Sequence, residues 1–102
     1  VNFNVLISDI LYFESSGRKV KVVLKDEVNE YYGKLSEVEE KIKNDDFFFI
    51  HKSYLINYNH IIEYSYEYVK MSNNEILGIS QNNRKAVREK LLRKKQRMRH
   101  VK

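Results

Sequence analysis

The sequence predicts a mainly β protein with antiparallel sheets, one short internal helix and a basic helix at the C-terminal end. Three observations support this prediction: short alternating segments, turn residues between them, and a change to helical spacing at only two places. Short connections favour antiparallel pairing, because parallel strands need a long crossover. With 102 residues, the chain can form one domain with a modest core.

The first third of the chain shows the period-two alternation of β-strands. Phe3, Val5 and Ile7 would share one face of an extended segment. Three further segments alternate in the same way: residues 10–15, 20–25 and 28–32. Residues 15–19 (Ser-Ser-Gly-Arg-Lys) separate the first two of these, and serine and glycine favour a tight turn there.

One short helix is predicted inside the chain. Leu35, Val38 and Ile42 have the spacing of one helix face. Ser36, followed three residues later by Glu39, matches a capping box, which predicts that the helix begins there. The outer face of this helix is acidic and would repel phosphates. A helix-turn-helix reader of DNA, which needs two consecutive helices, is therefore disfavoured.

The second half of the chain predicts more short strands and a final helix. The strand segments are residues 47–50, 54–56, 61–66, 68–71 and 75–79. Asn73 and Asn74 predict a hairpin turn between the last two. From about Asn83 the chain lacks glycine and proline, and Val87, Leu91 and Met98 fall on one stripe. These features predict a helix.

The positive charge is concentrated at the C-terminal end. The net charge is +5, but residues 84–102 carry ten Lys and Arg side chains against Glu89 alone, and all thirteen aromatic residues lie at or before Tyr68. Such a basic block attracts polyanions such as nucleic acid or an acidic membrane surface. The alternative, of about equal weight on charge alone, is a solvated helix that only aids solubility.

Several classes of function are disfavoured by composition. The chain has no cysteine, so disulfide scaffolds, thiol catalysis and thiolate metal sites are excluded. Its three histidines lack metal-ligand spacing and its three glycines form no phosphate-binding loop. We therefore expect no enzymatic activity, cofactor or metal. A membrane span needs roughly 18 apolar residues, and neither such a run nor a signal peptide is present, so we expect a cytoplasmic protein without a membrane partner.

Polar and cationic side chains are clustered after three of the predicted strands. The clusters are Arg18 and Lys19; His51, Lys52 and Ser53; and Gln81, Asn82, Asn83, Arg84 and Lys85. Asn and Gln can pair with adenine edges, and Arg and Lys with guanine. If a residue near Asn83 caps the last helix, cations crowd its positive end, where a bound phosphate would compensate. For His51 alone, a packed histidine with a satisfied hydrogen bond is the favoured interpretation.

The order of four motifs resembles the LytTR DNA-binding domain, the output half of many bacterial two-component response regulators. The motifs are Asp-Ile-Leu-Tyr-Phe-Glu-Ser at 9–15, Tyr-Gly-Lys-Leu at 32–35, Phe-Phe-Ile-His-Lys-Ser-Tyr-Leu-Ile-Asn at 48–57 and Ile-Ser at 79–80. The third is the most specific, and the resemblance covers roughly residues 3–92. It implies a LytTR-like domain over residues 1–92 followed by a basic extension over residues 93–102.

The resemblance also implies a fold and a function. The fold would be an elongated arrangement of small antiparallel sheets. Loops at strand ends would enter successive major grooves of duplex DNA, with two copies paired on promoter repeats and a receiver domain upstream. The contact loops would be those of the three polar clusters, with Arg18, Lys52, Asn82 and Arg84 as the expected base contacts. Phe49 and Gln81 depart from the family, which commonly has basic residues at both positions.

Two other functions fit the composition. One is a β-rich protein-interaction module whose basic tail binds an acidic partner or a membrane surface. The other is a binder of single-stranded nucleic acid that stacks bases on some of its eight tyrosines. Residues 93–102 inherit no role from the resemblance, and their six Lys and Arg side chains without an acid suggest nonspecific attraction to phosphate.

Overall fold

The computed structural model describes residues 5–100, and their side chains as far as residue 95. Five strands form one antiparallel sheet: β1 (Tyr12–Ser16), β2 (Lys19–Val23), β3 (Val28–Tyr32), β4 (Phe47–His51) and β5 (Tyr54–Asn57). Their order in the sheet is β3-β2-β1-β5-β4. A second antiparallel sheet contains β6 (Ile61–Tyr64), β7 (Tyr68–Met71) and β8 (Ile76–Gly78) in sequence order. Helix α1 (Leu35–Ile42) follows β3, and helix α2 (Arg84–His100) follows β8. The prediction of a mainly β fold with antiparallel sheets and two helices is confirmed.

Strand β1 lies at the centre of the five-stranded sheet and is covered on both faces. Its residues pair with β2 on one side and with β5 on the other. Alternation is typical of a strand with one buried face, but Ile10, Leu11, Tyr12 and Phe13 are all buried. Both faces are apolar because a different core packs against each of them.

Two cores result from this arrangement. The first, which we call the α1 core, lies between the five-stranded sheet and α1 and contains Ile10, Phe13, Val20, Val22, Leu35, Val38, Phe47 and Leu55. The second, the joint core, joins the two sheets and α2. It contains Leu11, Tyr12, Val23, Phe48, Ile50, Ile56, Val69, Met71, Leu77, Ile79, Val87 and Leu91. Helix α2 therefore holds the small sheet against the large one.

The predicted first strand is wrong where the structure describes it. Phe3 lies outside the described residues, and Val5 has no strand structure. Ile7 begins a single 3-10 turn, Ile7–Asp9, and is exposed. The ladder between β1 and β2 already ends where the Leu11 N–H donates to the Val23 carbonyl at 2.8 Å. The preceding residues have no partner strand and turn instead.

Helix α1 begins one residue earlier than predicted. Its N-terminal cap is Lys34, whose backbone N–H donates to the Glu37 carboxylate at 3.2 Å. The predicted pair of Ser36 and Glu39 is therefore wrong, because Ser36 is already inside the helix. Glu37, two residues before the predicted Glu39, caps the backbone at the start of the helix instead. The helix ends at Lys43, which adopts a left-handed conformation with φ of 42°.

Helix α2 runs without a break across the predicted domain boundary at residues 92–93. Val87 and Leu91 are buried in the joint core, as their stripe predicted, and the side chain of Met98 lies outside the described ones. Beyond them, Lys94 is also buried, and its Nζ donates to Asp46 Oδ1 at 2.9 Å. Lys94 also lies 5.4 Å from the centre of the Tyr58 ring. Over the described residues, neither helix is long and apolar enough to cross a membrane.

Candidate nucleic-acid interface

The three predicted clusters meet at one end of the five-stranded sheet, which we call the loop end. The β1–β2 turn (residues 17–18) and the β4–β5 turn (residues 52–53) lie side by side there, because β1 and β5 are antiparallel neighbours. The Ser15 N–H donates to the Ser53 carbonyl at 2.9 Å. The Ser80 N–H donates to the Ile50 carbonyl at 3.0 Å and brings the turn of Gln81–Asn83 to the same end.

The β1–β2 turn presents Arg18 to solvent. Gly17 adopts a φ of +62°, a conformation that few other residues reach without strain. Arg18 is exposed, whereas Lys19 is half-buried and engaged. The Lys19 Nζ lies 4.0 Å from Glu30 Oε1 and 5.3 Å from the centre of the Tyr32 ring. Of the two predicted cations, Arg18 is therefore the freer one.

The β4–β5 turn presents Lys52, and His51 fixes its shape. The Nδ1 of His51 accepts a hydrogen bond from the Ser53 N–H at 3.0 Å, and the imidazole packs 5.5 Å from the Tyr54 ring. This is the packed, satisfied histidine that the sequence favoured for this residue. Lys52 is exposed, and it lines the same open groove of about 920 Å³ as Arg18.

The turn of Gln81–Asn83 holds two amides outward and one inward. Gln81 and Asn82 are exposed. Asn83 is half-buried, and its Nδ2 donates to the Ser80 hydroxyl. That hydroxyl in turn donates to the Ile50 carbonyl at 3.4 Å. The inward bonds anchor the turn to β4 and leave the amides of Gln81 and Asn82 available.

Cations occupy the first turn of α2, as the sequence predicted for a helix that starts near Asn83. Arg84 is the first helical residue, Lys85 follows, and the first turn contains no acid. The Nε of Arg84 donates to the Ile79 carbonyl at 3.2 Å, which ties its stem to the end of β8. Positive side chains at this end of a helix oppose its dipole, and a bound anion relieves that opposition.

The cations at the loop end have few acidic neighbours. Among the side chains described, Arg18, Lys52, Arg84 and Lys85 have no carboxylate oxygen within 4.0 Å. Over these residues the four cations are therefore unpaired, in contrast to Lys94, and Glu37 is the one acidic residue that lines the groove with Arg18 and Lys52. Over the same residues, no group of three or more acidic or histidine side chains is placed to hold a metal ion.

Sequence reasoning missed Lys34 as a member of this surface. Lys34 is exposed at the start of α1 and lines the groove with Arg18 and Lys52. It reaches the loop end because β3 pairs antiparallel with β2, and the Gly33 N–H donates to the Arg18 carbonyl at 3.1 Å. The available signal was the position of Lys34 directly after a strand that returns to the β1–β2 turn.

Known proteins share both the sequence pattern and the fold. The family model of the LytTr DNA-binding domain matches residues 2–92. Among solved structures, the chain is similar to one described as the LytTr DNA-binding domain of a methyl-accepting/DNA response regulator from Bacillus cereus. The two are 26% identical with a TM-score of 0.76, over 85% of this chain and 84% of that one. No curated protein matches.

Proposed function

The chain belongs to the LytTr DNA-binding domain family, and on this premise we propose that it binds duplex DNA sequence-specifically through its loop end. The observation that carries this proposal is the convergence of cations and amides from three separate connections on one end of the five-stranded sheet. Cations supply sequence-independent attraction to phosphates, and amides and guanidinium groups read base edges. A surface that offers both can locate a site and recognise it.

We expect the tips of two hairpins to enter the major groove. This groove admits a two-stranded β-ribbon, and the β1–β2 and β4–β5 hairpins are such ribbons, joined by the bond between Ser15 and Ser53. We assign base contacts to Arg18, Lys52, Asn82 and Arg84. Lys19, Ser53, Gln81, Asn83 and Lys85 would contact phosphates or support these four, and His51 would hold the β4–β5 turn in place.

Phe49 and Gln81, which depart from the family pattern, have different surroundings in the structure. Phe49 is half-buried, packs against the α1 core and lines the groove that also contains Lys52. An aromatic ring there gives no charge to phosphate, and the exposed cations Arg18, Lys34 and Lys52 supply the positive charge of that groove. Gln81 is exposed and can replace ionic attraction with hydrogen bonds.

LytTR domains bind DNA within response regulators, and we extend this assembly to the present chain. In it, a receiver domain precedes the described residues, and two copies bind promoter repeats side by side. The DNA-binding role requires no catalytic group and no cofactor. A concentration-dependent second shift on DNA with two sites, absent from DNA with one site, would support the paired arrangement. A single shift on both would contradict it.

Selection of bound sequences from a random duplex pool at moderate salt tests the main proposal. We expect a short motif to be enriched from the duplex pool and no motif to be enriched from a parallel single-stranded pool. A DNA-free sample serves as the blank. A preference for single strands that depends on tyrosines would replace the proposal with base stacking. Absence of tight duplex binding at physiological salt would favour a protein-interaction module with a basic tail.

The C-terminal extension would add positive charge to the surface that binds DNA. Arg93 and Lys95 are exposed, whereas Lys94 is committed to Asp46. Replacing Arg93 and Lys95 together with glutamine should reduce the slope of log affinity against log salt by up to about 2, equally on all DNA sequences. Substitution is preferable to deletion because deletion would also remove Lys94. An unchanged slope would show that Arg93 and Lys95 do not contact phosphate.

A further inference from the structure

A second cavity lies between α2 and the connection from β6 to β7, beside the joint core. Its volume is about 360 Å³, near the lower end of the sizes typical of small-molecule sites. Ile79, Val87 and Leu91 form its apolar floor, and all three are buried. The cavity is thus concave, close to the core and large enough for a small organic molecule.

The rim of the cavity exposes large apolar side chains to water. Tyr64, Tyr66 and Leu92 line it and are 43%, 50% and 48% exposed. Adjacent exposed apolar side chains around a concave surface are typical of binding sites, because water solvates them poorly. A ligand of matching shape would bury these side chains without any change in the backbone.

Two arginines give the cavity a positive side. Arg84 and Arg88 are four residues apart on α2, hence on one face of the helix, and both line the cavity. The Arg88 guanidinium lies 5.9 Å from the centre of the Tyr66 ring. Among the side chains described, neither arginine has a carboxylate within 4.0 Å. Guanidinium groups match carboxylates in charge and planar geometry.

We propose that this cavity binds a small apolar carboxylate, with its hydrocarbon part on Ile79, Val87 and Leu91 and its carboxylate between Arg84 and Arg88. The apolar floor argues against a bare phosphate, and the paired guanidinium groups argue against a neutral ligand. The inference goes beyond DNA binding and does not require it, since the site is formed within a single free domain; because Arg84 is also assigned to the DNA surface, the two ligands would compete for it, and the test is made without DNA.

Titration of the ¹⁵N-labelled protein with 1-naphthoate, in the absence of DNA, tests the proposal. We expect saturable amide shifts at residues 64–66 and 87–92. The matched alcohol, 1-naphthalenemethanol, should bind about tenfold more weakly, because it lacks the charge-assisted hydrogen bonds. Equal affinity for the carboxylate and the alcohol, or shifts spread evenly over the basic surface, would overturn the proposal.

Matched variants separate this site from general attraction to a basic helix. Arg88→Gln should weaken naphthoate binding about tenfold. Arg93→Gln makes the same charge change on the same helix, at an exposed residue that does not line the cavity, and should leave the affinity within about twofold. Leu92→Trp should fill the cavity and abolish binding. Equal losses in Arg88→Gln and Arg93→Gln, or undiminished binding to Leu92→Trp, would overturn the assignment.

Discussion

The two ends of the five-stranded sheet use polar side chains in opposite ways. At the loop end, Arg18, Lys52 and Asn82 are exposed and face solvent. At the other end, where β1 begins and β5 ends, polar groups bond to one another; we call it the anchored end. There Asn57 is only 1% exposed, donates from Nδ2 to the Ile10 carbonyl at 2.9 Å and accepts from the Asn59 N–H at 3.0 Å.

Further bonds extend the anchored end across the molecule. Asn59 Nδ2 donates to Asp46 Oδ2 at 2.9 Å, and Lys94 donates to the other oxygen of the same carboxylate at 2.9 Å. The Nε2 of His60 donates to the Ser8 carbonyl at 2.7 Å, and its Nδ1 lies 3.1 Å from the Ser72 hydroxyl. These bonds join the segment before β1, the small sheet and α2.

The comparison shows that residue type does not determine role. One segment, residues 51–57, spans both ends: its lysine is exposed at the loop end and its asparagine is buried at the anchored end. Polar groups with partners inside the protein stabilise the fold, whereas exposed ones beside each other remain available to a ligand. Changes at the two ends should therefore affect different measurements.

The largest expected effect is on stability, from Asn57→Leu at the anchored end. The change leaves the Ile10 carbonyl and the Asn59 N–H without a partner, which should lower the free energy of unfolding by about 2–4 kcal/mol. Chemical denaturation measures this. The same substitution at Asn82, on the loop end, should change stability by less than about 0.5 kcal/mol. Similar losses of stability at both positions would contradict the difference between the two ends.

Lys52→Ala should produce the next largest effect, on DNA affinity instead of stability. Loss of a base contact should weaken binding to the selected site by about 1–3 kcal/mol, with little change on random duplex. Lys25→Ala is a suitable control, because Lys25 is exposed in the β2–β3 connection at the anchored end. Equal losses on both duplexes would make Lys52 a phosphate contact, and no loss would remove it from the interface.

Lys94→Met should lower stability by about 1–2 kcal/mol, because Asp46 loses an ionic partner but is partly exposed and can be rehydrated. Lys95→Met, one residue further along α2 at an exposed position, should be nearly neutral. Thermal unfolding of the two variants side by side measures the difference. If both variants melt at the same temperature, the pair of Lys94 and Asp46 does not stabilise the anchored end.

The smallest effect at neutral pH is expected from Tyr12→Phe. Burial, and then the nearby carboxylates of Glu75 and Glu14, raise the pKa of Tyr12 to about 12. The unfolded chain releases this proton near pH 10, so the stability that the neutral hydroxyl contributes is present below pH 10 and lost as the pH rises towards 12. Chemical denaturation at pH 8 and pH 11 should show that the variant loses less of its free energy of unfolding between these pH values than the wild type does. Equal losses in the two proteins would exclude Tyr12 as the source of this pH dependence.

Most strands were predictable from the sequence because alternation is a local property. Strand β2 alternates within five residues, and the Asn73–Asn74 turn was recognised from its own residues, with Asn74 at a φ of 70°. The clusters at the loop end were also found locally, since each follows a strand. Their meeting at one end depends on strand order, which the resemblance supplied and the residues alone did not.

The parts that sequence reasoning missed depend on contacts between distant residues. Nothing near Lys94 in the chain indicates that it pairs with Asp46, 48 residues away. The burial of β1 on both faces likewise depends on α2 and the small sheet, which lie far along the chain. Isoleucine is common in β-strands, but Ile7 has no neighbouring strand with which to pair.

The division into two cores has a consequence for synthesis on the ribosome. Every residue of the α1 core lies between Ile10 and Leu55, so that half can consolidate as soon as the first part of the chain emerges. The joint core needs Val87 and Leu91, and remains open until helix α2 has been made. Because the chain emerges from its N-terminal side, the face of the large sheet that carries Leu11, Tyr12 and Val23 is made first and waits longest for its cover.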